Sequence, residues 1–194
     1  MQEHPNSAAD WRALATAEEQ KQKTTDAITA LERYTALRPK DTNALTELAG
    51  EYAQQATNLQ TQAQDSQSQS ILADPSQGLL PPSSTPLGKV FTSTSGLQSP
   101  ITNVVSAASG NQSQSLYQQY TSLTSKQEDT YKKVASLSPH DASAQIQLGQ
   151  AALNAGDSKT AIAAFKTFLK LAPTDPEASY VRSTLKQLEP KKKK

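Results

Sequence analysis

The sequence predicts an all-α array of about three helical hairpins, closed by a C-terminal capping helix and interrupted by a largely disordered insertion. Three observations carry this expectation. Apolar residues recur at three-and-four spacing, as in AIAAFKTFLKL (161–171). The pattern P-x-D-x-x-A returns at Pro39-Asp41-Ala44, Pro139-Asp141-Ala144 and Pro173-Asp175-Ala178, the last two 34 residues apart. A 47-residue stretch, 65–111, is rich in Ser, Gln, Pro, Thr and Gly and holds only three charged residues, Asp65, Asp74 and Lys89.

The clearest hairpin runs from Asp141 to Pro173. Asp141 is placed to cap the first turn, where free backbone amides need an acceptor. Ile146, Leu148, Ala152 and Leu153 form the first apolar stripe. Asn154-Ala-Gly156-Asp157 ends that helix, because glycine enters the left-handed conformation without steric cost. Ala161, Ile162, Phe165, Phe168, Leu169 and Leu171 form the stripe of the second helix, and Pro173 stops it. Asp175-Pro176 then reads as a cap followed by a proline at the first helical position.

These residues resemble the tetratricopeptide repeat, a 34-residue helix-turn-helix unit. Leu148-Gly149, Ala161, Phe165 and Pro173 match its pattern. Gln145 stands where Trp or Leu is usual and Ala152 where Tyr is usual, while Phe168 replaces a common Ala. Small and large are thereby exchanged across one interface, which conserves volume. Upstream, Trp11 and Leu14-Ala15 match a first helix, and Ala27, Leu31 and Pro39 a second one. TTDAITAL (24–31) parallels SKTAIAAF (158–165). Leu45, Leu48-Ala49 and Tyr52 open another unit.

The second helix of that middle unit comes 66 residues late, since Pro39 and Pro139 are 100 residues apart. The stretch 65–111 takes up most of the surplus; it has too little apolar surface to offset chain entropy. The rest lengthens the flanking helices through EYAQQATNLQTQAQ (51–64) and QSQSLYQQYTSLTSKQ (112–127). Tyr117, Tyr120 and Leu123 are expected to pack on Leu59 and its neighbours. The expected domains are therefore 7–64, 65–111, 112–189 and a basic tail, 190–194. Three apolar clusters, ILADP (71–75), PLGKVF (86–91) and PITNVV (100–105), are expected to fold lightly back on the array; the alternative is that one docks as a linear motif, elsewhere or in the array's own groove. Pro176–Leu188 is expected to cap the array, with Tyr180, Val181, Leu185 and Leu188 on its apolar side and Arg182 and Lys186 exposed.

Composition excludes several kinds of chemistry. The chain has 194 residues, 5% aromatic and 35% hydrophobic, and a formal net charge of +1. It has no cysteine, so disulfides and thiolate sites are excluded. No apolar run approaches a membrane span of about 20 residues. MQEHPNSAAD lacks the apolar core of a secretory signal. The two histidines, His4 and His140, fall in a frayed terminus and an inter-repeat turn, with no metal-like partner at helical spacing. There is no nucleophile elbow and no glycine-rich phosphate loop. Glu18-Glu19 and Glu128-Asp129 are adjacent on helices and read as solvated faces. Lys191–Lys194 has no interleaved aromatic, so no nucleic acid is expected as a partner. No catalytic residue, cofactor or metal ligand is expected, and the chain is read as no enzyme.

The resemblance implies a protein-interaction scaffold that holds a peptide or a partner helix on the concave face lined by first helices. Mapped onto this sequence, that face takes Arg12, Thr16 and Gln20 from unit one, Thr46, Gly50 and Gln54 from unit two, and Ser143, Ile146, Gln150, Leu153 and Asn154 from unit three. It is polar and nearly neutral, with one apolar spot at Ile146 and Leu153. Thr16 and Glu47 stand where a carboxylate-clamping member would carry basic or amide groups, which disfavours that activity. The partner is an unidentified protein or peptide, and a small homo-oligomer is compatible with the pattern. AIAAFKTFLKLAPTDPEASYV also resembles repeats of bacterial cell-envelope proteins, implying a cytoplasmic or envelope location with an anchor upstream. The alternative reading is a soluble accessory or regulatory piece of a larger membrane-anchored envelope protein or enzyme.

Overall fold

The computed structural model describes residues 7–73 and 100–189, with the side chains of 67, 69–73 and 100–110 left out. Among them the chain forms α1 (Ala8–Gln20), α2 (Thr24–Leu37), α3 (Thr42–Ala73), α4 (Pro100–Leu137), α5 (Ala142–Ala155), α6 (Ser158–Leu171) and α7 (Ala178–Leu188). The described residues are all-α and packed as hairpins, as the periodicity predicts.

The three P-x-D-x-x-A turns are built alike. At each, the aspartate carboxylate accepts from a backbone amide two or three residues on. Asp41 accepts from the Ala44 amide at 3.1 Å, and Asp141 from the Ser143 amide at 2.8 Å. Asp175 accepts from the Glu177 amide at 2.8 Å. The alanine three residues on (Ala44, Ala144 or Ala178) is buried each time. The last turn differs in one respect. Residues 176 and 177 remain in a turn, so α7 begins at Ala178 rather than at Pro176.

Burial repeats at the sequence offsets of 34 and 100. Ala15, Ala49 and Gly149 are buried, as are Leu31, Tyr131 and Phe165, and Ala30, Thr130 and Ala164. Two facing columns explain why small and large alternate. A Cβ placed on Gly149 would lie 2.4 Å from the Phe165 ring, so only glycine allows α6 this close to α5. Ala152 and Phe168, the exchanged pair, share one cluster with Val181 and Leu185 of α7.

Among the described residues, 7–56 and 121–189 form one compact unit. Its core has three clusters. Leu31, Leu48 and Tyr52 gather α1, α2 and the start of α3, with Trp11 and Leu123 packed against them. Leu45 and Ala49 meet Tyr131, Val134 and Ala135 of α4, and Leu148 and Ala164 of the next hairpin. The third cluster joins α5, α6 and α7. A polar node fixes the late-arriving α4. Glu32 accepts from Tyr52 at 2.6 Å and from Lys126, 94 residues along the chain, at 2.8 Å. Lys126 also lies 5.5 Å from the centre of the Tyr52 ring, within cation–π range.

The described residues 57–73 and 100–120, the remainders of α3 and α4, belong to the other unit. Among the residues described there, Leu59, Ala63, Ser66 and Leu116 are buried. Tyr117 is 46% exposed, so Leu116, and not the expected Tyr117, is the inward residue of that turn. Leu123 packs on the cluster of Leu31 and Tyr52. The helices reach further into 65–111 than expected. α3 runs on to Ala73 because QSQSILA, though polar, contains no helix breaker before Pro75. α4 opens on Pro100, tolerated in a first turn whose amides have no helical acceptor. Residues 74–99, with PLGKVF, lie outside the described residues, as do His4 and the lysine tail.

Two other expectations change. Glu18 and Glu128 are not on solvated faces. They are 8% and 6% exposed, and each carboxylate is held by a lysine one turn away, Lys21 and Lys132, at 2.8 Å. On α7, Tyr180 is 52% exposed while Val181 and Leu185 are buried, so the tyrosine leaves the apolar side.

Candidate binding face

The residues mapped from the first helices fall into equivalent columns of α1, α3 and α5. Arg12, Thr46 and Ile146 form one; Thr16, Gly50 and Gln150 the next; Gln20, Gln54 and Asn154 a third. The latter two columns are exposed throughout, and the first is half-buried. A fourth column is Glu19, Ala53 and Leu153, all half-buried. Ser143 is exposed, and its amide is used in the Asp141 cap. Nothing lies within 4 Å of a Cβ built on Gly50, so bare backbone faces open space there.

The ends of the face differ in chemistry. On α5, Ile146 and Leu153 pack against the cluster containing Phe165, Phe168, Val181 and Leu185. The expected apolar spot is thus partly covered from within. Gln150 accepts from the Tyr180 hydroxyl of α7 at 3.4 Å. Thr16 turns its hydroxyl back onto the Arg12 carbonyl at 3.2 Å.

Between α1 and α3 the face is charged. Arg12 bridges to Glu47 at 2.5 Å and lies 5.7 Å from the centre of the Tyr34 ring. Partial burial works against its charge, but the contact with Glu47 more than offsets it. Glu19 is half-buried on α1, and its Oε1 is buried with no hydrogen-bond partner. Burial first, then Glu47 and Glu51, push the Glu19 carboxyl up to about 7, with Arg12 opposing them. Burial and Glu47 raise Glu51 as well. Tyr34 donates to Asp41 at 2.6 Å, which holds that carboxylate below its ordinary range.

Sequence reasoning placed Arg12 on this face and Glu47 at a clamp position beside it, and missed Glu19 and Glu51. A signal was present: the Leu153 column, read back through the repeats, gives Glu19, and Glu47 and Glu51 are one helical turn apart. Among the described residues, no group of three acidic or histidine side chains is placed to hold a metal ion. No helix among them is long and apolar enough to cross a membrane.

Comparison with known proteins agrees with the repeat geometry over part of the chain. The tetratricopeptide repeat family matches residues 128–183. No curated protein matches the chain. Among solved structures it is similar to the crystal structure of MamA protein, at 14% identity over 89% of this chain and 94% of that one. The TM-score is 0.24, a superposition too loose to bear on fold or function. The matched stretch runs from the last turns of α4 to the start of α7, and the family it resembles generally mediates protein–protein interaction and is generally not catalytic.

Proposed function

We propose that this chain is an interaction scaffold that binds an extended peptide or a partner helix on the face carried by α1, α3 and α5. The observation that carries the reading is the recurrence of exposed, mostly polar positions in equivalent columns of three first helices, two of them exposed throughout. Tetratricopeptide repeats generally use that concave face for ligands. Thr16, Gln20, Gln54, Gln150 and Asn154 offer hydroxyl and amide groups suited to a peptide backbone, and Gly50 lets a ligand approach the helix closely. The acidic character near Glu19, Glu47 and Glu51 disfavours a terminal carboxylate as ligand at that end and favours a neutral or basic segment.

The test is a peptide library panned on the full chain and re-measured on two variants. Gly50→Trp fills the open space on the face; Lys133→Trp, on the exposed side of α4, does not. Selected peptides should bind the wild type and Lys133→Trp alike and lose about tenfold or more on Gly50→Trp, roughly the worth of one blocked central contact. Equal binding to all three would place the ligand elsewhere.

A further inference from the structure

We propose that the edge of the array where the second helices α2, α4 and α6 end docks on an anionic lipid surface. Leu37, Leu137 and Leu171 stand two residues before Pro39, Pro139 and Pro173, so they hold one register position in the three hairpins. All three are exposed, by 53%, 39% and 37%, in a register where Leu31, Tyr131 and Phe165 are buried. They belong to the same compact unit. A single leucine in water needs no explanation; one at the same place in every hairpin forms a column.

The free charges beside the column are basic. Arg33 and Lys133 lie one helical turn before Leu37 and Leu137, Lys170 lies next to Leu171, and Arg38 and Lys40 follow Leu37. All five are exposed, and among the described residues none of them makes an ion pair. The carboxylates of the same helices and turns are committed. Glu32 holds Lys126 and Tyr52, Asp129 lies 3.6 Å from Lys132, and Asp41 accepts from Tyr34 and the Ala44 amide. The third turn carries an exposed acid, Glu177, so the attraction is strongest at the first two. Leu37, Arg38, Pro39, Lys40 and Asp41 line an open hollow of about 450 Å³. With Asp41 engaged, that hollow offers a ligand one exposed leucine and two free cations. An anion joined to an apolar body fits such a seat.

The spacing of the leucines favours lipid over protein. A protein partner binds through a clustered, fully desolvated centre. Here the apolar contacts are separate, one to a hairpin. A lipid surface takes separate side chains between its headgroups, while cations hold the phosphates. The docking is peripheral, since no described helix is long and apolar enough to cross a membrane. It uses the ends of the second helices and does not depend on the concave face binding anything.

The test is co-sedimentation of the full chain with vesicles of phosphatidylcholine, alone or with about 30% phosphatidylglycerol. Only the anionic vesicles should bind it, about tenfold or more weaker when salt rises from about 0.05 to 0.5 M. One basic residue at an anionic surface is worth about fivefold, so Arg38→Glu with Lys40→Glu should weaken binding about twentyfold or more. Leu37→Ser with Leu137→Ser should weaken it about fivefold. Lys159→Glu makes the same charge change at the opposite end of α6 and should stay within about twofold. An equal loss in Lys159→Glu overturns the proposal. So does binding that survives both edge variants, as attraction by the four C-terminal lysines alone would. A second readout needs no loss of binding. The chain has no cysteine, so Leu137→Cys and Gln150→Cys each carry one polarity-sensitive dye. The dye at 137 should shift to the blue on anionic vesicles and the dye at 150 should not; equal shifts overturn the proposal. If soluble poly-glutamate binds the chain and anionic vesicles do not, the partner is an acidic protein and the lipid reading falls.

Discussion

The first and last hairpins share a plan and differ in what holds them. α5–α6 closes on Phe165 and Phe168, both buried, with Gly149 letting the helices meet and Asp157 capping α6. α1–α2 has Leu31 at the Phe165 position, Tyr34 at the Phe168 position and Glu18 at the Ala152 position. Its apolar core is smaller, and charged contacts take a larger share: Arg12–Glu47, Lys21–Glu18 and Lys126–Glu32. Aromatic burial depends little on pH or salt, whereas half-exposed ion pairs respond to both. One backbone plan thus yields an insensitive C-terminal end and an adjustable N-terminal one.

The largest expected effect separates the two cores. Phe165→Ala should destabilise the protein by about 3–5 kcal/mol, since the ring is fully buried and its neighbours cannot close the cavity. Leu31→Ala, in the same column and equally buried, should cost about 2–4 kcal/mol. Urea unfolding of both variants measures the difference. A Leu31 cost equal to or above that of Phe165 would break the comparison.

The difference also shows which parts of the molecule were legible in the sequence. The C-terminal hairpin is written in residues with one physical use each: Gly156 for a left-handed turn, Asp141 and Asp157 for caps, Phe165 for the core. The return of α4 to the array could be read from the 100-residue spacing, because Tyr131 and Gln127 fall in register with Phe165 and Ala161. The charged seam was harder to read. Glutamate on a helix is solvated by default, and only the packing of α1 against α3 half-buries Glu19 and brings Arg12 to Glu47. Helix ends within polar sequence were equally obscure. Ser and Gln neither demand nor forbid a helix, so α3 could end anywhere before Pro75.

A mid-sized effect tests close approach inside one hairpin against open space on another. Gly149 and Gly50 are both in helix interiors, where replacing glycine by alanine gains about 1 kcal/mol in propensity. At Gly50 nothing opposes the new methyl, so Gly50→Ala should stabilise by about that amount. At Gly149 the methyl would meet a buried ring. Overpacking of about 1–3 kcal/mol should exceed the propensity gain and make Gly149→Ala net destabilising. Thermal melts of the two variants should move in opposite directions. A stabilised Gly149→Ala would mean that Phe165 can yield, and that the C-terminal core is looser than its burial implies.

The smallest effect lies in the two turns, which close with the same pair of backbone hydrogen bonds. In α5–α6 the Asp157 amide donates to the Ala152 carbonyl at 2.8 Å and the Gly156 amide to Leu153 at 3.0 Å. In α1–α2 the Lys23 amide donates to Glu18 and the Gln22 amide to Glu19, both at 2.9 Å. Both are Schellman closures, which need a left-handed residue. Gly156 supplies it at φ 81° without strain; Gln22 adopts φ 58° although it carries a Cβ. Gln22→Gly should therefore stabilise the first turn by about 0.5–1 kcal/mol, net of the entropy glycine adds to the unfolded chain. Gly156→Ala should cost about 1 kcal/mol, although nothing crowds its Cβ, because the penalty is in the backbone. Amide exchange resolves the two turns separately. If Gln22→Gly slows exchange in α1 and α2 and leaves α5 and α6 unchanged, the N-terminal hairpin carries local strain that its C-terminal counterpart has shed. If it slows exchange equally in both, the hairpins unfold as one unit, and the adjustable end cannot open without the rest.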